Sequence, residues 1–240
     1  MGVRENLRIV QDRVAAACAA ADRPIDSVTL MAVSKVHPVE RLLEAIDAGH
    51  RLFGENRVQE FQGKAAALRE ASSGPERARF HLIGPLQNNK TAKAAELFDE
   101  IDTIDSIKTA ERVERAAVEL NKSMPVLVEV KLSHEESKHG VAPDELPGLL
   151  ERLSGLERVV VQGLMTVPPW SEDAEVARPY FRRLRELRDQ MQLQYPLMTE
   201  LSMGMSNDFT VAIAEGSTCV RIGTAIFGRR TSQQTSQATG

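Results

Sequence analysis

A lysine that closes an apolar run is the first residue in this chain suited to chemistry: Met31-Ala-Val-Ser-Lys35 reads as a strand ending on a primary amine. Toward the other end stand Leu201-Ser-Met-Gly-Met-Ser-Asn-Asp208 and Val220-Arg-Ile-Gly-Thr-Ala-Ile-Phe-Gly228, two apolar runs that break into glycines and hydroxyls. Glycine at a turn or helix start frees backbone N–H groups for an anion, and Arg221 adds a permanent cation beside them. An amine, an anion cradle and a cation gathered in one place are what a phosphorylated aldehyde cofactor requires. Whether they meet depends on the elements that carry them.

Those elements alternate. Leu7, Val10 and Val14 recur on one face of a helix predicted over Arg4–Ala21. Short apolar runs then predict strands over Val28–Val33, Leu52-Phe53, Phe80–Ile83, Ile101–Ile104, Pro125–Val130, Val159–Leu164, Glu200–Ser202 and Cys219–Ile222. Helices are predicted over Pro38–Ala48, Val58–Glu70, Asn89–Leu97, Thr109–Lys122, Pro143–Leu153, Glu175–Gln192 and Phe209–Glu215. The strands read as apolar on both faces, as parallel strands covered by helices do. The α/β pattern of about eight units predicts a single (β/α)8 TIM barrel with an extra N-terminal helix; a doubly wound open sheet is the rival. The barrel is expected over residues 1–229, and the Ser/Gln-rich residues 230–240 read as a disordered tail.

Barrels place chemistry at the C-terminal ends of their strands. There the sequence puts Lys35, Gly54-Glu55-Asn56, Gly84, Asp105-Ser106, Lys131, Met165-Thr166, Ser202-Met203-Gly204 and Arg221-Ile-Gly-Thr224. Strands seven and eight are also where barrels commonly bind phosphate, which suits Ser202, Gly204, Gly223 and Thr224. Each residue has a plainer reading as well. Lys35 could be solvated, the Ser-Met-Gly-Met-Ser turn a helix cap, Arg221 a partner for a nearby carboxylate, and Asn56 a turn residue. Their joint occurrence in barrel order favours a site.

A net charge of −4 argues against a general nucleic-acid binder. The basic stretch Arg178–Arg188 reads as the wet face of an amphipathic helix. No apolar run is long enough to span a membrane and the N-terminus lacks a signal-peptide core, so a cytoplasmic protein is expected, with Cys18 and Cys219 as core thiols. The histidines His37, His50, His81, His134 and His139 show no zinc-ligand spacing, so no metal is expected. His134 and His139 fall in a charged stretch that reads as a mobile loop, and Trp170–Asp173 as a surface loop.

Seven motifs in order sharpen this reading: Ala32-Val-Ser-Lys35, Phe53-Gly-Glu-Asn-Arg-Val-Gln-Glu60, His81-Leu-Ile-Gly-Pro-Leu-Gln-Asn-Asn-Lys90, Ser137-Lys-His-Gly140, Gly163-Leu-Met-Thr166, Ser202-Met-Gly-Met-Ser206 and Val220–Gly228. Together they resemble the pyridoxal phosphate homeostasis protein family. These are single-barrel relatives of the alanine racemase N-terminal domain, with the fold type III pyridoxal phosphate barrel. The resemblance runs from the first helix to Gly228. The second asparagine of Gln87-Asn-Asn-Lys90 and the tail depart from the family's commonest pattern.

The resemblance implies pyridoxal 5′-phosphate (PLP) as cofactor, held as a Schiff base on Lys35. Ser202, the backbone at Met203, Gly223 and Thr224 would hold its phosphate, Asn56 would lie near the ring edge, and Arg221 would face the ring nitrogen. A guanidinium can only donate, so that nitrogen would stay unprotonated and the ring would be a weak electron sink. The resemblance further implies a monomeric carrier that serves PLP-dependent apoenzymes and is not an enzyme. Two alternatives stay open: an amino-acid racemase, and a Schiff-base aldolase acting on a phosphosugar. Two-base racemisation needs a second acid/base group opposite Lys35. Tyr180 and Tyr195 fall in or after an outer helix, and no second β-domain is expected after strand eight.

Overall fold

Each apolar run becomes a strand that pairs in parallel with the next, and the last closes on the first. The strands of this computed structural model are β1 (Thr29–Val33), β2 (Leu52–Glu55), β3 (Arg79–Leu82), β4 (Glu100–Ile104), β5 (Met124–Glu129), β6 (Val159–Met165), β7 (Glu200–Ser202) and β8 (Cys219–Ile222). Before β1 stands α1 (Val3–Ala20). The outer helices are α2 (Val39–Asp47), α3 (Val58–Ala71), α4 (Thr91–Leu97), α5 (Ile107–Glu119), α6 (Leu146–Leu153), α7 (Arg178–Gln192), α8 (Phe209–Ala214) and α9 (Thr224–Phe227). The structure describes residues 2–72, 74, 77–133 and 139–228. The tail read as disordered lies outside them, as do His134, Ser137 and Lys138 of the charged stretch.

The (β/α)8 barrel and its extra helix follow the sequence pattern, with shifts at helix starts. Ser106 caps α5 by accepting a bond from the Thr109 N–H, so the helix starts at Ile107 rather than Thr109. The α6 helix starts at Leu146 rather than Pro143, and Pro147 takes the first turn, where its missing N–H costs nothing. The expected helix from Glu175 divides into a tighter 3-10 turn (Ala174–Ala177) and α7, again with a proline in the first turn. Its basic face is only partly wet: Arg182 and Arg183 are exposed, whereas Arg178 and Arg185 are half-buried, and Arg178, Arg182 and Arg185 pair with the buried Glu215 at the end of α8.

Between barrel and helices lies a continuous apolar layer, in which Phe61 of α3 packs on Phe80 and Phe98 at ring-centroid distances of 4.7 and 4.8 Å. Inside the barrel a separate small cluster joins Met31, Leu52 and Cys219, with Ile83 against it. Cys18 and Cys219 are both buried free thiols. Among the described residues no helix is long and apolar enough to cross a membrane.

The expectation that all strands are apolar on both faces fails inside the barrel. β4 buries Glu100, Asp102 and Thr103, and His81 of β3 lies beside the two carboxylates. Its Nδ1 stands 3.2 Å from Asp102 Oδ1 and its Nε2 3.7 Å from Glu100 Oε2. Burial and the neighbouring Asp102 push the Glu100 carboxyl up to about 8. Burial alone would lower His81, but Asp102 and Glu100 outweigh it and raise it. The barrel interior therefore carries charge-bearing groups at its base as well as at its mouth.

Candidate functional site at the barrel mouth

Lys35 sits at the end of β1 in a turn that is fastened on both sides. Before it, the buried Ser34 donates its N–H to the Gly54 carbonyl (3.0 Å) and its hydroxyl to Glu55 Oε1 (2.9 Å). After it, the Val36 N–H donates to Glu60 Oε1 (2.5 Å). Lys64 of α3 ties the two carboxylates together, at 3.0 Å from Glu55 and 2.7 Å from Glu60. Burial raises the Glu55 carboxyl, against the pull of Lys64. Val36 adopts a left-handed backbone with φ of 60°, which is costly for a β-branched residue. The turn thus holds the half-buried Lys35 at the wall of a cavity of about 630 Å³.

Asn56 stands on the same wall. Gly84, at the end of β3, packs so closely that a side chain there would collide with the Asn56 carbonyl. Arg221 reaches the cavity from β8 and is almost wholly buried. Its Nη1 donates to Ser202 Oγ (2.7 Å) and its Nη2 to the Thr166 carbonyl (2.8 Å), so its fixed partners are a hydroxyl and a carbonyl rather than the carboxylate considered from sequence. Burial lowers its pKa, but a guanidinium stays charged throughout the accessible range.

Of the seven residues singled out, Lys35, Asn56, Arg221, Gly223 and Thr224 share the cavity wall, and Ser202 and Met203 lie behind it. The Ser202 hydroxyl accepts from Arg221, and the Met203 N–H donates to the Cys219 carbonyl (3.1 Å). The next turn of that loop does reach the wall, at Met205 and Ser206. There the Met205 N–H is taken by Asp208 Oδ1 (2.6 Å). Gly223 brings the start of α9 against β1, where an added Cβ would stand 3.1 Å from the Val33 carbonyl.

Four further residues on the wall with polar or aromatic side chains escaped the sequence reading: Glu129, Ser133, His139 and Trp170. Glu129 is the one acid in the apolar run of β5, a signal that was available. Burial raises its carboxyl, while Arg221 and His139 work to lower it. Beyond His139 the chain pairs with β5: the Val141 N–H donates to the Glu129 carbonyl (2.8 Å) and the Lys131 N–H to the Val141 carbonyl (2.9 Å). The Lys131 and His139 side chains thereby join the wall.

The mouth therefore gathers Lys35, Lys131 and Arg221 around one carboxylate, Glu129. Because helices follow strands, the positive ends of their dipoles also surround it. Such a cavity suits an anion whose electrophilic carbon comes within reach of a primary amine.

Residues 4–231 match the family model described as alanine racemase, N-terminal domain. The chain is 42% identical over 231 residues to the "Pyridoxal phosphate homeostasis protein" of Aquifex aeolicus (strain VF5), covering 96% of this chain and 99% of that protein. Among solved structures, PipY of Synechococcus elongatus PCC7942 with PLP bound superposes with a TM-score of 0.82 at 40% identity, over 94% of this chain and all of that one. Alanine racemase of Clostridium difficile 630 matches in fold alone, with a TM-score of 0.73 at 15% identity, over 96% of this chain and 61% of that one. A closed barrel with a fastened lysine at its mouth, matched along nearly its whole length, belongs to the pyridoxal phosphate homeostasis protein family.

Proposed function

We propose that the chain binds PLP at the barrel mouth, holds it as a Schiff base on Lys35, and acts in intracellular PLP homeostasis with little or no catalytic turnover. The observation that carries this reading is the fastened turn around Lys35 on a wall shared with Arg221, Gly223 and Thr224. The donor set fits the group: a primary amine, cations and a helix start for a phosphate, in a cavity within the usual range for small ligands. PipY, a relative at 40% identity, was solved with PLP bound.

When bound, PLP supplies an aldehyde that an amine can hold and a ring that can withdraw electrons. Lys35 Nζ is the amine. Ser206, Gly223 and Thr224 would hold the phosphate end, with Ser202 and Met203 bracing the neighbouring loop from behind. Arg221, anchored by Ser202 and Thr166, can donate a hydrogen bond but cannot take up a proton, so beside the ring nitrogen it would leave the ring a weak electron sink. Tyr180 and Tyr195 belong to α7 and the segment after it, away from this wall.

Borohydride reduction of the protein loaded with PLP, followed by peptide mapping, should place the pyridoxyl group on Lys35, and Lys35→Ala should abolish the visible absorbance of the loaded protein. A label found mainly on Lys90, Lys131 or Lys138 would overturn the assignment. The second half of the proposal is tested by exchange of the α-hydrogen of alanine in deuterated solvent. Turnover lost on both Lys35→Ala and His139→Ala would reveal a second base and make the protein a racemase-like enzyme.

A further inference from the structure

We propose that His81, Glu100 and Asp102, at the end of the barrel opposite the cavity, form a site for one divalent transition-metal cation. One donor atom from each residue lies within 4.8 Å of the others, and all three residues are buried. The fold builds this cluster. His81 and Glu100 are partners in the β3–β4 register, and Asp102 follows two residues on, so strand alternation presents both carboxylates on the side of the imidazole.

What points to a ligand is the state of their polar atoms. His81 Nδ1, Glu100 Oε1 and both Asp102 oxygens are buried without a hydrogen-bond partner, although His81, Glu100 and Asp102 are each more than nine-tenths buried. His81 Nδ1 faces Asp102 Oδ1 at 3.2 Å as a buried ion pair, which leaves Asp102 Oδ2 and Glu100 Oε1 unsatisfied. Native interiors rarely leave such atoms unsatisfied, still less several in one pocket.

The surroundings deepen the deficit. Glu200 at the start of β7 adds a third carboxylate acting on the cluster, and Arg79, the nearby cation, is exposed and acts only through space. The outer helices end at the base, so the negative ends of their dipoles point there. A bound cation satisfies the orphan acceptors and the excess negative charge together. Any protons the carboxylates share leave to solvent as it enters.

One imidazole with two carboxylates suits Zn²⁺, Fe²⁺ or Mn²⁺, whereas Mg²⁺ favours oxygen ligands and keeps its waters. Metal–ligand bonds of about 2.0–2.2 Å set neighbouring donors roughly 3.0–3.4 Å apart. The contact of 3.2 Å between His81 and Asp102 already has that spacing. Glu100, 3.7 Å from the other ring nitrogen, needs only a side-chain shift to join them. The cation would cross-link β3 to β4 at the rim.

The test uses the full chain, stripped with a chelator and titrated with ZnCl₂ and then MnCl₂ by calorimetry. One equivalent of Zn²⁺ should bind per chain, and Asp102→Asn and His81→Gln should each weaken it at least roughly tenfold, as loss of a direct ligand does. Absence of uptake would overturn the proposal, leaving protons alone in the cluster. So would uptake that survives both substitutions, or that is lost on His139→Ala instead. Because either variant could fail to fold, crystals of the unaltered protein soaked in ZnCl₂ give a second reading. An anomalous peak between β3 and β4 at the base supports the site, and a peak only elsewhere, or none, overturns it.

Discussion

The mouth and the base of this barrel enclose similar numbers of ionisable groups and treat them in opposite ways. At the mouth the charges are mostly cationic, and the buried one, Arg221, is fully engaged by Ser202 and Thr166. At the base they are mostly anionic, and Glu100 and Asp102 keep oxygens with no partner. Met31, Leu52, Ile83 and Cys219 pack together inside the barrel alongside both groups. Burial alone therefore does not decide what a charge costs; the supply of partners does.

Replacing a charge by methionine at each end should separate these cases by sign. Arg221→Met strands a hydroxyl and a carbonyl, each worth about 1–3 kcal/mol when left unsatisfied, and should destabilise the protein by about 2–4 kcal/mol in urea unfolding. Glu100→Met removes a partly orphaned carboxyl from a cluster crowded with negative charge. In the presence of a chelator it should be neutral or stabilising by about 1 kcal/mol. Destabilisation by Glu100→Met as large as that by Arg221→Met would dissolve the contrast.

Acid–base behaviour at the mouth gives a smaller effect. Burial raises Glu129, so the folded state holds its proton more tightly than the unfolded chain does. Its contribution is fully present below the unfolded carboxyl value, near ~4.3, and is lost as pH rises through the raised native value. Glu129→Gln should flatten that decline in thermal unfolding measured from pH 4 upward. A profile identical to the unaltered protein's would mean that Arg221 and His139 fully offset the burial. Outside the barrel, Arg182→Ala should leave stability within experimental scatter. Arg182 is exposed, and Glu215 keeps Arg178 and Arg185.

The two ends also differ in how far the sequence betrays them. The mouth is legible because its residues sit where runs stop: Lys35 ends an apolar stretch, and Gly223 and Thr224 follow another. What escaped there depended on a parallel bridge between Val141 and the end of β5. His139 reaches the wall because Val141 pairs back onto β5, and nothing in the charged stretch before it signals that return. The base was illegible for a different reason. His81 stands 19 positions before Glu100, and only the β3–β4 register makes them neighbours, so a reading of histidine spacing along the chain could not join them. The same holds for Ser202, whose hydroxyl is committed to a partner 19 residues later. Periodicity reveals elements, whereas contacts inside a closed barrel need the register.

Val36 carries one last consequence. A valine held left-handed costs on the order of 1–3 kcal/mol, and glycine at that position would relieve the strain. Under selection for thermal robustness alone, Val36→Gly is thus an easy gain in durability. Yet the same stiffness keeps the neighbouring amine from wandering, and glycine would widen the arc through which Lys35 can swing. Directed evolution for heat tolerance, run without a ligand-binding screen, would be drawn toward this codon and would loosen the residue proposed to anchor the cofactor.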